Sequence, residues 1–175
     1  MEKIYLIGMP GSGKSTLGKK LAKELKIKFI DLDSFIEKKE NCSITDIFKY
    51  EGEAYFRNVE STSLLEVSEL NEPCLVSLGG GTPCFNNNME LILASGISVY
   101  IKANEKILLN RLENAKSQRP LFWGLTKTEI EIKLTQLIAN RAPFYEKANI
   151  VVSAANMNEK DIARIISEFK KNQAS

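Results

Sequence analysis

The stretch Gly8-Met9-Pro10-Gly11-Ser12-Gly13-Lys14-Ser15-Thr16 most restricts what this chain can fold into. It fits the pattern G-x-x-x-x-G-K-[ST], and its flanks fit as well. Before it, Ile4-Tyr5-Leu6-Ile7 reads as a short buried strand. After it, Leu17, Leu21 and Leu25 recur at helical spacing with Ala22 on the same face. Strand, glycine-rich turn and helix in that order make a cradle for phosphate. The glycines let the backbone curl so that successive N–H groups point at one anion, and the helix starting near Lys14 adds the positive end of its dipole. Lys14 is expected to reach the β- and γ-phosphates of a nucleoside triphosphate and the Ser15 hydroxyl to ligate Mg2+. Gly11, Ser12, Gly13 and Thr16 complete the nucleotide loop. A glycine-rich turn holding a chance lysine is the bland alternative, and the flanking elements weigh against it.

What surrounds this loop decides the architecture. Apolar runs suited to buried parallel strands occur at Ile4–Ile7, Phe29–Ile30, Leu75–Leu78, Ser98–Ile101 and Ile150–Val152, with helical patterns between them. Leu91, Ile92 and Ala94 mark a short helix after an Asn86–Asn88 turn, and Ile107, Leu108 and Leu112 mark another. Thr128 with Glu131 forms a capping box for a helix carrying Ile130, Leu134, Leu137 and Ile138, which should stop before Pro143. Asn158 caps a last helix with Ile162, Ile165, Ile166 and Phe169 facing inward, and the tail after Lys170 reads as frayed. Strands alternating with helices imply a parallel sheet covered on both faces, an α/β three-layer fold. At 175 residues the chain suits one domain, 1–175, without repeats or linkers.

Composition mostly excludes. Lys and Arg number 24 against 22 Asp and Glu, so bulk charge carries no nucleic-acid signature. No long apolar run or charged-then-apolar leader is present, and a cytoplasmic protein with no membrane partner is expected. Cys42, Cys74 and Cys84 lack metal or redox spacing and read as reduced thiols. The chain has no histidine, which excludes Ser-His-Asp chemistry, imidazole metal sites and histidine bases.

In parallel sheets, ligands collect at the carboxyl ends of the strands. The second strand ends in Asp31-Leu32-Asp33, where strand alternation would point both carboxylates to one side, toward Mg2+ and a phosphate acceptor; helix capping is the alternative. The third ends in Gly79-Gly80-Gly81, suited either to close approach of a ligand or to a tight turn against the phosphate loop. Arg57 lies beside Glu60 in Gly52-Glu53-Ala54-Tyr55-Phe56-Arg57-Asn58-Val59-Glu60, where a surface i,i+3 ion pair competes with a functional reading. Arg119-Pro120-Leu121-Phe122 follows a polar loop suited to a mobile lid, about 112–125, able to carry Arg119 over the phosphates. Trp123, the single tryptophan, belongs either to that lid or to the core. Arg141 sits near a helix end, where the dipole favours arginine in any case.

Assembled in order, these segments resemble the shikimate kinase family, small P-loop kinases similar to the nucleoside monophosphate kinases. The likeness rests on the phosphate loop, Asp31-x-Asp33, Gly52-Glu53-x-x-Phe56-Arg57-x-x-Glu60, Gly79–Gly81, Arg119-Pro120-Leu121, and Arg141 with Tyr145, collinear from Ile4 to about Ser153. It implies a five-stranded parallel sheet in the order 2-3-1-4-5 and transfer of the γ-phosphoryl of ATP to the 3-hydroxyl of shikimate. A substrate-binding helical region about 32–60 is implied too. Asp33 would hold the acceptor hydroxyls and Arg57 and Arg141 the carboxylate, while Gly79, Gly80 and Gly81 offer backbone N–H groups. Lys14 and Arg119 would face the phosphates, with Ser15 and Asp31 at Mg2+. Arg111 and the loop after Val152 are candidates for adenine. By analogy the chain would be a monomer. The competing readings are another small-molecule kinase of this fold, of gluconate or nucleoside monophosphate type, and a non-catalytic nucleotide-binding regulator.

Overall fold

A computed structural model describes residues 3–113, 122, 124–155 and 158–173. Five strands, β1 (Lys3–Ile7), β2 (Lys28–Asp31), β3 (Cys74–Ser77), β4 (Gly96–Lys102) and β5 (Ile150–Ser153), form one sheet in the order β2-β3-β1-β4-β5, with every pairing parallel. This is the order that the family resemblance implies. The period-two alternation of β1 divides the interior. Ile4 and Leu6 point into a core with Leu21, Ala22, Ile162 and Ile166, beneath α1 (Lys14–Leu25) and α8 (Glu159–Gln173). Tyr5 and Ile7 point into the opposite core, covered by α2 (Leu32–Glu40), α3 (Ile44–Tyr50), α4 (Gly52–Ser68), α5 (Asn88–Ser95), α6 (Glu105–Glu113) and α7 (Lys127–Tyr145). Two buried faces explain why the strands read as continuous apolar runs.

Several local expectations need correction. The capping box of α7 is Thr126 with Glu129, two residues before the Thr128–Glu131 frame; Thr126 Oγ1 accepts from the Glu129 N–H, and Glu129 accepts from the Thr126 N–H. Helix α7 also runs through Pro143 to Tyr145. Proline removes one donor there, but the last turn is retained by the Glu146 N–H on the Ala142 carbonyl and by burial of Tyr145. Helix α8 continues past Lys170 to Gln173. Asn158 does cap it, its Oδ1 accepting from the N–H groups of Lys160 and Asp161. All three cysteines are free thiols. Among the described residues, no helix is long and apolar enough to cross a membrane.

Candidate active site

The loop from Gly8 to Gly13 leaves β1 and enters α1 at the carboxyl edge of the sheet. Gly13 stands before the first helical residue with φ 94°, a left-handed conformation that a side chain disfavours. Gly8 has φ 145°, and a Cβ there would meet the Ile101 carbonyl oxygen at 2.7 Å, so neither position accepts another residue easily. Lys14 is nearly buried, and its Nζ donates to the carbonyls of Gly8 at 2.8 Å and Met9 at 2.9 Å. From α6, Arg111 Nη1 donates to the carbonyls of Gly11 and Ser12 at 3.1 and 3.0 Å. Two cations thus hold the loop's carbonyls outward, which leaves its N–H groups to converge on an anion.

Beside the loop, Ser15 Oγ donates to Asp31 Oδ2 at 2.7 Å and lies 3.1 Å from Ser77 Oγ. A carboxylate and hydroxyls are hard oxygen donors, and no group of three or more His, Cys, Asp or Glu residues suited to a metal exists among the described residues. Sparse oxygen ligation beside a phosphate cradle fits Mg2+, which keeps most of its waters. Asp31 also ends β2 and caps α2 through the Ser34 N–H at 3.4 Å. Asp33 is therefore in the first helical turn and not at an alternating strand position. The two acids still line one cleft, but a helix turn and not strand alternation brings them there.

That cleft, lined by Gly13, Lys14, Ser15, Asp31, Asp33 and Gly80 among others, opens onto a second pocket. Arg57, Arg141, Phe48, Phe56, Pro10 and Phe122 contribute to the second pocket's wall. Asp33, Gly79 and Gly80 line both. Asp33 therefore stands between a nucleotide-type site and an arginine-bearing one.

The i,i+3 pair of Arg57 with Glu60 is buried and not on the surface. Arg57 Nη1 donates to Glu60 Oε2 at 2.8 Å, and Glu60 is 1% exposed; Nε and Nη2 donate to Glu53 Oε1 at 3.2 and 3.0 Å. The second Glu60 oxygen accepts from Thr82 Oγ1 at 2.6 Å. On α7, Arg141 is 7% exposed, and its Nη1 is buried with no hydrogen-bond partner among the described residues. A buried, unsatisfied guanidinium N–H is costly and marks a place built for an anion. The three glycines make room for this convergence. A Cβ on Gly79 would lie 3.1 Å from Asp33 Oδ1, one on Gly80 2.6 Å from Pro10 Cδ and 3.1 Å from Arg141 Nη1, and one on Gly81 2.8 Å from both Arg57 terminal nitrogens. None has a positive φ, so their smallness and not their flexibility is what the site uses. The turn packed against the phosphate loop is real, through Gly80 on Pro10.

Tyr145 donates its hydroxyl to the Gly80 carbonyl and is buried, which pushes its pKa up against the pull of Arg141. Burial likewise pushes the Cys84 thiol up to about 11, with Arg141 and Arg57 drawing it back. The sequence marks no site role for Ser77, Thr82 or Phe48, and it offers Phe56 and Phe122 only as members of longer motifs. Apolar residues at helical spacing signal only a core, and Ser77 and Thr82 gain meaning through partners distant in the chain. Arg119, Leu121 and Trp123 lie outside the described residues. Thr16 lines the phosphate-loop cleft and also, with Gly13 and Arg111, an adjoining groove that reaches Ala154 and Asn158.

Comparison with known proteins agrees with this geometry. The family model described as shikimate kinase matches residues 10–170. The shikimate kinase of Azobacteroides pseudotrichonymphae genomovar. CFP2 is 44% identical over 162 residues, which is 93% of this chain and 95% of that one. The crystal structure of shikimate kinase from Bacteroides thetaiotaomicron superposes with a TM-score of 0.88 at 36% identity, covering 97% of this chain and 98% of the other. The shikimate kinase from Acinetobacter baumannii in complex with shikimate gives 0.85 at 32% identity, over 99% and 94%. Likeness at these identities along almost the whole chain, with an anion-seeking arginine pocket beside a phosphate cradle, means that the chain belongs to the shikimate kinase family.

Proposed function

We propose that this chain transfers the γ-phosphoryl group of ATP to the 3-hydroxyl of shikimate, giving ADP and shikimate 3-phosphate. The observation that carries the reading is the buried Nη1 of Arg141, without a hydrogen-bond partner among the described residues, on a side chain that lines the same pocket as Arg57. A ring carboxylate would satisfy both guanidinium groups, and charge-assisted pairing of this kind is strong and directional. Phe48, Phe56 and Ile44 supply an apolar wall for the carbocycle. With the carboxylate held there, the far side of the ring reaches toward Asp33 at the mouth of the nucleotide cleft.

In the reaction, the acceptor oxygen bonds to the γ-phosphorus while the bond from that phosphorus to the β–γ bridging oxygen breaks, and the hydroxyl proton passes late, by way of the Asp33 carboxylate, to solvent. Asp33 accepts a hydrogen bond from the hydroxyl and aligns it; a loose transition state asks for little early deprotonation, so alignment outranks base catalysis. Lys14 exchanges two neutral carbonyls for the charged β- and γ-phosphates, a stronger set of acceptors. The resemblance assigns Arg119 to the same charge. Ser15 and Asp31 would hold Mg2+, which supplies neutralisation of phosphate charge when bound. The near balance of 24 basic and 22 acidic residues supports small-molecule substrates over nucleic acid, and the family resemblance supports a monomer acting in the cytoplasm without a membrane partner.

A coupled assay of ADP release with ATP, Mg2+ and a panel of acceptors tests this. Turnover is expected with shikimate and not with gluconate or nucleoside monophosphates. Turnover with one of those instead would reassign the acceptor, and nucleotide binding without turnover on any acceptor would make the chain a regulator.

A further inference from the structure

Arg57 is fixed on several sides. Glu53 and Glu60 take its Nε and part of both terminal nitrogens, and the ring of Phe56 lies 5.1 Å from its Cζ. The edge bearing Nη1 and Nη2 faces Gly81, whose missing side chain leaves it open toward the pocket. The nearer aromatic ring is that of Phe85, with Cζ 4.1 Å from its centroid. Phe85 is 37% exposed, lies outside both apolar cores and does not line the pocket. Its position is nonetheless specified. Asn86, with φ 48°, donates from Nδ2 to the backbone carbonyl of Arg57 at 3.1 Å and to Ser61 Oγ at 3.0 Å. The residue after Phe85 is thus fastened to the main chain of the arginine that Phe85 covers. A short 3-10 turn, Thr82–Cys84, leads in from the glycines and is itself tied to Glu60 through Thr82.

We infer that Phe85 is a positioning residue for shikimate recognition: its ring stacks on the guanidinium of Arg57, excludes water from that face and holds the plane in which the open edge meets the carboxylate. The inference rests on the reading of this pocket as the shikimate site. An aromatic face on a largely buried cation strengthens the cation's fixed orientation, and a fixed fork loses less entropy when it grips a carboxylate. The exposed side of the ring faces water and asks for no other partner. A surface phenylalanine is otherwise a poor choice at this position.

The test is steady-state kinetics on Phe85→Leu, Phe85→Tyr, Arg57→Gln and the Phe85→Leu/Arg57→Gln double variant, each with a thermal melt. Phe85→Leu keeps apolar bulk and loses the π face. It should raise KM for shikimate roughly 3- to 30-fold, the span of a desolvated cation–π contact. KM for ATP and kcat should stay within about twofold, and Phe85→Tyr should restore the parent's KM for shikimate to the same margin. On the Arg57→Gln background, Phe85→Leu should add nothing beyond about twofold, because the two act as a unit. An unchanged KM for shikimate in Phe85→Leu, a parallel rise in KM for ATP, failure of Tyr to rescue, or full additivity with Arg57→Gln would each overturn the inference. If Arg57→Gln itself left KM for shikimate unchanged, the acceptor-site reading would fall. A response to Arg57→Gln without one to Phe85→Leu would remove Phe85 alone.

Discussion

The hydroxyl of Tyr145 donates to the backbone carbonyl of Gly80, so the helix that carries Arg141 is fastened to the loop dividing the two pockets. Tyr145→Phe would keep the ring and strip a buried carbonyl of its donor. The expected cost is about 1–3 kcal/mol, or roughly 2–4 °C of Tm per kcal/mol in a chain of this size. Calorimetry reads the stability. Kinetics on the same variant should show KM for shikimate rising more than KM for ATP, since the Arg141 turn loses its tether. A melt unchanged from the parent would show that the bond contributes nothing.

Arg57 and Arg141 should separate in a way that their shared pocket does not suggest. Removing either by Ala should weaken shikimate binding by about 2–5 kcal/mol while sparing ATP. Arg57→Ala also leaves the buried Glu60 carboxylate without its cation, a change that typically costs about 3–5 kcal/mol of stability. Arg141 Nη1 has no hydrogen-bond partner among the described residues, so Arg141→Ala should melt much closer to the parent. Equal losses of Tm in the two variants would contradict the assignment of Glu60 as the structural partner of Arg57 alone.

Lys14→Met should lower kcat by a factor on the order of 10² or more, because the ammonium would be missing where charge develops on the transferring group. Far-UV circular dichroism should remain that of the parent, since α1 and β1 are held by the core beneath them. Retention of more than about a tenth of the parent's kcat would be too much for a group in that role.

Cys84 links stability to alkaline pH. Its thiol is pushed up to about 11 from 9.0 by burial, so above pH 9 the unfolded chain loses this proton first while the folded chain keeps it. The native state then binds more protons, and stability falls as pH rises from 9 toward 11. Burial raises the Cys74 thiol as well, so the two act in the same direction. Melts at intervals between pH 8 and pH 10.5 should show the decline, and Cys84→Ala should flatten part of it. Alkylation of Cys84 at pH 8 should be slow for the same reason.

Features carried by neighbouring residues were the legible ones. The phosphate loop needs one strand, one turn and one helix start, all adjacent, and Asp31 with Asp33 is nearly as local. Arg57 and Arg141 are far apart in the chain, and only the family resemblance paired them; their helix patterns alone suggested an ion pair and a dipole contact. Thr82 and Ser77 gain their roles from partners on other elements, so no local spacing marks them. The capping box was misplaced because Thr126-x-x-Glu129 and Thr128-x-x-Glu131 overlap in the chain, and spacing cannot choose between the frames. Pro143 misleads for a related reason: its penalty is local, whereas the Tyr145 hydroxyl that anchors its turn finds its acceptor on Gly80, far away in the chain.

On the proposed reading, Asp33, Gly79 and Gly80 are a party wall between donor and acceptor chambers. A change there made to suit a new acceptor is felt at once by the phosphates, because Gly80 already touches Pro10 of the phosphate loop. Drift toward other acceptors must therefore begin on the far side, at Ile44, Phe48 and Phe56, which border the acceptor pocket and not the nucleotide cleft. The fold keeps one half of its chemistry invariant by building it into masonry shared with the other, and leaves the opposite wall free to be redecorated.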